Sequence, residues 1–253
     1  MNFLYLIIFL IGLGFGSFAS VIIHRLNTKE GGIFWGRSKC PHCKHVLSAV
    51  DLIPLFGILI NKFKCHYCKK PISLKYPILE LVMGSFFLIT SLSVGLLNPY
   101  LLSYYLLLTF IFVVLSFYDI FFQEIPDEIS LPTIVLVGLV GYIAHMHSPI
   151  SMFIGFIVPV AFFATMFLGS RGRWLGGGDV RIGAIMGLLL GWPNVITGLF
   201  LGYLLGSIYS LVGLASGKLS RKSQIPFGQF LLLGTYIALF WGEKIMNWYL
   251  GMI

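Results

Sequence analysis

Six residues of this chain have the types and spacing to do chemistry: two aspartates and four cysteines. Asp119 lies in the run Phe117-Tyr118-Asp119-Ile120-Phe121-Phe122-Gln123-Glu124-Ile125-Pro126-Asp127, and Asp179 closes Gly176-Gly177-Gly178-Asp179. Only nine Asp and Glu occur in 253 residues, so a carboxylate at the edge of an apolar stretch needs a reason. Ionisable groups at membrane depth are costly and are functional candidates by default. Two that converge make an acid/base pair able to activate water. The bland alternatives are an interfacial Asp119 and a helix-capping Asp179, although Ser or Asn would cap without placing a charge near lipid. Pro126 fits the start of a helix, where Asp127 or Glu128 complements the dipole, so Asp127 reads as a structural residue.

The cysteines form two pairs, Cys40-Pro41-His42-Cys43 and Cys65-His66-Tyr67-Cys68, with 21 residues between them. Two C-x2-C knuckles at about this separation read as one tetrahedral zinc site. Four thiolates close the coordination shell, which makes the site structural and leaves His42, His45 and His66 as reserve ligands. Lys44 and Lys69, each just after a knuckle, suit a negatively charged tetrathiolate. The alternative is two disulfides, and the compartment decides between them.

The elements that position these groups are membrane spans. Hydrophobic residues make up 58% of the chain and charged ones 10%, far below the roughly 25% charged of a soluble domain. The chain reads as an all-α polytopic membrane protein with about eight spans. They cover 2–23, 74–95, 101–119, 129–146, 150–169, 179–192, 194–216 and 228–249. The sixth is short, and its Gly-rich start suits a buried or wet loop at membrane depth. The first lacks a cleavage-site pattern and is expected to be a retained span, with Gly12, Gly14, Gly16, Ser17 and Ala19 as a small packing face.

Every Lys and Arg except Lys244 falls in or beside the loops after spans one, three, five and seven. The positive-inside rule therefore places the amino terminus outside and those loops in the cytosol. The net charge of +8 is accounted for by this topology, which excludes nucleic-acid binding as its reason. The expected organisation is a first span at 1–23, a cytosolic zinc-binding insert at 24–73 and a helical bundle at 74–253. A cytosolic insert lies in a reducing compartment, which favours zinc over disulfides. About 50 residues make a weak core that gains from a metal staple. Asp119 and Asp179 fall on the same side of the membrane.

Asp119 with Ile125-Pro126-Asp127, and Gly176-Gly177-Gly178-Asp179, resemble the two aspartate motifs of the type IV prepilin peptidases, intramembrane aspartic proteases of the GxGD type. The stretch Gly16-Ser17-Phe18-Ala19-Ser20-Val21-Ile22-Ile23-His24-Arg25-Leu26 is similar to that family's opening segment. The knuckles, Asp51-Leu52-Ile53-Pro54, Tyr76-Pro77-Ile78-Leu79-Glu80 and Ile225-Pro226-Phe227-Gly228 continue the resemblance in order over nearly the whole chain. Ser20 stands where the family usually has Asn, Asn27 where it has Pro, and Gln229 where Pro follows the Gly.

The resemblance implies an aspartic endopeptidase of the bacterial cytoplasmic membrane, with Asp119 and Asp179 as its catalytic pair. Its substrates would be type IV prepilins or pseudopilins of pilus, type II secretion or competence systems, which lose a basic leader at the cytosolic face. Glu124, Asp127 and Glu128 are candidates to attract that leader. The cysteine insert argues for the bifunctional type, which then N-methylates the new amino terminus with S-adenosylmethionine. No G-x-G-x-x-G marks a site for that donor, and Asp51 and Glu80 are the candidates for the cofactor or amino-terminal side. A peptidase-only relative is the near alternative. A proton-coupled transporter using the paired aspartates is the distant one, against which stands the lack of internal symmetry between the halves. A docking protein with capping aspartates is a third.

Overall fold

The computed structural model describes residues 2–29, 36–40, 42–48, 50–173, 175–220 and 223–251. Among these the chain is all-α, apart from two isolated β-bridges in the insert. Its helices are α1 (Asn2–Thr28), α2 (Phe56–Ile60), α3 (Lys75–Val94), α4 (Pro99–Phe122), α5 (Asp127–Ile143), α6 (Pro149–Ser170), α7 (Gly177–Leu190), α8 (Asn194–Ala215) and α9 (Gly228–Leu250). The eight expected spans coincide with α1 and α3 to α9 within a few residues. α2 is a short helix inside the insert. Five helices, α1, α3, α4, α6 and α8, are long and apolar enough to cross a membrane. The chain divides into two compact units, Met1–Val114 and Leu115–Ile253, and the division falls within α4.

In the first unit α1 packs on α3 through small residues. A β-carbon at Gly12 would stand 2.8 Å from the Gly84 Cα, and one at Gly16 2.6 Å from the Glu80 Cα. Ala19 continues the same face and is fully buried. Small residues let membrane helices approach until backbones touch. Gly14, on the other side of α1, meets nothing. Phe15 packs against Phe87 and Phe110, and the Thr90 and Thr109 hydroxyls bond at 2.8 Å across α3 and α4.

In the second unit α7 is the inner helix, with α5, α6, α8 and α9 against it. From Ile182 to Gly187 every residue of α7 is buried. A helix buried all round is a core element rather than a lipid-facing one. Its neighbours expose Phe153, Phe162, Phe200 and Val212 outward, as lipid contact requires. Gly187 abuts the Gly155 carbonyl of α6 with no room for a side chain. Pro126, in extended backbone, immediately precedes α5, which has Asp127 and Glu128 in its first turn. Ser148 caps α6 by accepting the Ser151 N–H, with Pro149 at the first helical position.

Candidate active site and cysteine cluster

Asp119 sits in the last turn of α4 and Asp179 in the first turn of α7. Both are buried, with 5% and 8% of their surface exposed. Backbone groups hold both. Asp119 Oδ2 accepts the Gln229 N–H at 3.1 Å, from the start of α9. Asp179 Oδ2 accepts the Gly176 N–H at 3.1 Å, and its own N–H donates to the Gly176 carbonyl. This is a reciprocal cap of the helix start. Asp119 lies within electrostatic reach of Asp179.

Two glycines make that approach possible. A β-carbon at Gly178 would stand 2.6 Å from Ile125 Cγ1, and one at Gly228 3.0 Å from Asp119 Oδ2. Ile125 is therefore the packing pin between the turn after α4, the glycine run before Asp179 and the start of α9. Gly177, just before Gly178, faces open space.

Asp127 does not join the pair. It makes an ion pair with Arg181, whose Nη1 also donates to the Ile125 carbonyl at 2.9 Å and reaches Ser130 Oγ at 3.4 Å. Sequence reasoning assigned no role to Arg181, Gln229 or Tyr203, which lies within electrostatic reach of Asp179. For Arg181 a signal existed: a guanidinium two residues past Asp179, inside an apolar segment, needs a partner. For a backbone donor such as Gln229 there was none. The bond is one that proline at that position has no N–H to make.

In the insert the four cysteine sulfurs all lie within 4.8 Å of one another, and Cys40 Sγ is 4.0 Å from Cys68 Sγ. Tetrahedral Zn–S bonds of about 2.3 Å require sulfurs about 3.8 Å apart, so the donor set fits one zinc ion. The two knuckles share one local fold. The Lys44 N–H bonds the Cys40 carbonyl at 2.9 Å, and the Lys69 N–H bonds the Cys65 carbonyl at 3.0 Å. Lys44 and Lys69 both take left-handed backbone, φ 58 and 59. Each knuckle closes with an antiparallel bridge, Lys39 with Val46 and Lys64 with Pro71.

Burial works against the Cys40 thiolate, but the Cys43 and His42 backbone groups and neighbouring thiols outweigh it and bring its pKa down to about 7. The His45 backbone pulls Cys43 down, yet burial and the neighbouring sulfurs outweigh it and push that thiol up to about 11. A divalent cation among these sulfurs would deprotonate them all. Among the described residues no histidine joins the cluster. His45 stacks on Tyr67 and His66 bonds Asn61 Oδ1 at 3.1 Å.

Asp51 and Glu80 have different surroundings. The Asp51 carboxylate accepts the Ser48 N–H at 3.0 Å and hydroxyl at 2.7 Å. Burial raises its pKa, but the Ser48 bonds outweigh that and hold it below the usual carboxylate value. Glu80 is buried on α3 and accepts the Leu55 N–H at 2.9 Å.

Residues 10–94 match the profile described as the Bacterial Peptidase A24 N-terminal domain, and residues 106–211 that of the Type IV leader peptidase family. A prepilin leader peptidase/N-methyltransferase of Legionella pneumophila is 30% identical, over 98% of this chain and 95% of its own length. The protein of the same name from Aeromonas hydrophila is also 30% identical, over 96% and 93%. That of Bacillus subtilis is 28% identical, over 97% and 98%. No solved structure matches the chain. The four cysteines and both aspartates thus fall within matched profiles, and the chain belongs to the type IV leader peptidase family.

Proposed function

We propose that this protein removes the leader peptide from type IV prepilins or pseudopilins and methylates the amino terminus it exposes, with Asp119 and Asp179 as the hydrolytic pair. The observation that carries the cleavage reading is the convergence of two buried carboxylates, each aimed by a backbone N–H, at the facing ends of α4 and α7. Two carboxylates that close together do not both ionise readily, so they share a proton. The ionised one takes a proton from water as the water attacks the scissile carbonyl. The protonated one donates to the carbonyl oxygen and steadies its growing negative charge. No acyl-enzyme forms.

The four cysteines hold one zinc ion, which staples the insert. S-adenosylmethionine supplies the methyl group. The distribution of Lys and Arg supports a cytoplasmic membrane location with the amino terminus outside, and insert and aspartates on the cytosolic side. There the basic leader of a prepilin is presented, and Glu124, Asp127 and Glu128 lie near the pair in sequence to attract it. Residues 24–73 serve methyl transfer and the bundle within 74–253 serves cleavage. The deciding experiment incubates the purified chain with a prepilin and S-adenosylmethionine and weighs the product. A loss equal to the leader plus the gain of one methyl group is expected. An unchanged prepilin mass overturns the reading in favour of transport or docking.

A further inference from the structure

The first unit contains a cavity of about 390 Å³ that the carboxylate pair does not use. Its size falls in the range of small-molecule sites, roughly 300–1,000 Å³. α1 lines it with Ser17, Ser20 and His24, α3 with Tyr76 and Glu80, and the insert with residues that include Arg37 and Lys64. Glu80 is the unusual member. It is 5% exposed, accepts the Leu55 N–H and a bond from the Ser17 side chain, and pairs with no Lys or Arg among the described residues. Buried charges are normally paired, and an uncompensated one is strongly unfavourable. A carboxylate so placed on a cavity wall calls for a cation from the ligand. Asp51, the other lining carboxylate, is already satisfied by Ser48.

We propose that this cavity is the methyl-transfer site, where a sulfonium methyl donor and the newly exposed pilin amine meet, and that Glu80 holds the amine. The assignment rests on the reading of the chain as an N-methyltransferase. Both ligands carry positive charge, on the sulfonium and on the amino terminus, which suits Glu80. Tyr76, one turn before Glu80 on the same face of α3, offers a ring for the donor's base. Arg37 and Lys64 on the insert side suit the donor's carboxylate. In the reaction the Glu80 carboxylate first takes a proton from the ammonium and passes it to water, and the neutral amine then gives its lone pair to the methyl carbon. The N–C bond forms as the methyl–sulfur bond breaks, and that electron pair returns to sulfur, turning the sulfonium into a thioether. The proton left on nitrogen passes to the Glu80 carboxylate and from there to water.

The test uses the full-length purified protein with three readouts: leader cleavage, methylation of a pre-cleaved pilin, and equilibrium binding of S-adenosylhomocysteine. Glu80→Gln should cut methylation about 100-fold, the scale of losing a proton acceptor, while leaving leader cleavage within about twofold. Ser20→Trp, which fills the cavity from α1, should weaken S-adenosylhomocysteine binding by at least about tenfold, a 1.4 kcal/mol change. Should either variant fail to fold, photo-crosslinking of S-adenosylmethionine to the unaltered protein decides. Attachment within residues 17–80 supports the site, and attachment only within 115–251 overturns it. A wild-type protein that neither methylates nor binds S-adenosylhomocysteine overturns the methyltransferase reading itself. A wild type that does both, with both folded variants unaffected, overturns this cavity alone.

Discussion

Asp119 and Asp179 are oriented by backbone amides rather than by side chains, one from the start of α9 and one from the turn before α7. A side-chain swap at the carboxylates themselves therefore leaves their supports in place. Asp119→Asn or Asp179→Asn should each lower leader cleavage by at least about 100-fold, because general acid/base work contributes that much. The bundle should stay folded, and either variant should still methylate a pilin supplied without its leader. Product masses measured side by side check both halves of this statement. Asp127 behaves differently. Its side chain is 63% exposed, and exposed ion pairs contribute under about 1 kcal/mol. Asp127→Asn should keep most of the activity. Arg181→Leu should cost more, about 1–3 kcal/mol, because it strips donors from the Ile125 carbonyl and Ser130. Thermal unfolding of the two variants in one detergent gives the comparison. The residues proposed to do chemistry stand out in the sequence because carboxylates and thiols are scarce in an apolar chain. Arg181 and Gln229 were not assigned, because their roles depend on which helix ends meet.

Local helix geometry explains why neighbouring glycines differ in importance. Gly178 faces Ile125 at a distance that no β-carbon tolerates, whereas Gly177 faces open space. Gly178→Ala should push Ile125 and the α4–α5 turn away from Asp179. A displacement near 1 Å at a reacting pair costs on the order of 100-fold in rate. Gly177→Ala should stay within about threefold, and cleavage kinetics of the pair of variants make the contrast. The knuckles carry a second expectation. Protein prepared without added metal should hold one zinc ion per chain by elemental analysis, and a value near zero with four titratable thiols removes the site. Helix positions were readable to within a few residues because apolar runs ended at Pro, Gly and charge. α2 was not, since five residues within a loop leave no periodicity. The left-handed Lys44 and Lys69 were also hidden. The sequence suggests their charge, whereas the turn geometry each knuckle imposes on its next residue appears only in three dimensions.

At the scale of the whole chain, cysteine cluster and carboxylate pair lie in different compact units. Cys40→Ser with Cys43→Ser should therefore depress methylation more than cleavage. An equal fall in both means that metal binding is coupled to folding beyond the insert. Scoring leader loss and methyl gain on the same pilin sample separates the two outcomes, and normal methylation with lost cleavage overturns the division of labour.

α7 has 14 residues, about 21 Å of helix, against about 36 Å for the 24 residues of α4. A hydrocarbon core is about 30 Å thick, so α7 is too short to match it. Because α5, α6, α8 and α9 enclose α7, any mismatch between the bundle and the bilayer reaches Asp179 through those helices. Acyl-chain length then becomes a control on turnover, because hydrophobic mismatch is relieved at a cost that grows with each ångström. Reconstituted into vesicles of increasing chain length, the protein should cleave prepilin more slowly in the thickest bilayers. A rate indifferent to thickness would mean that the surrounding helices absorb the mismatch without moving the start of α7.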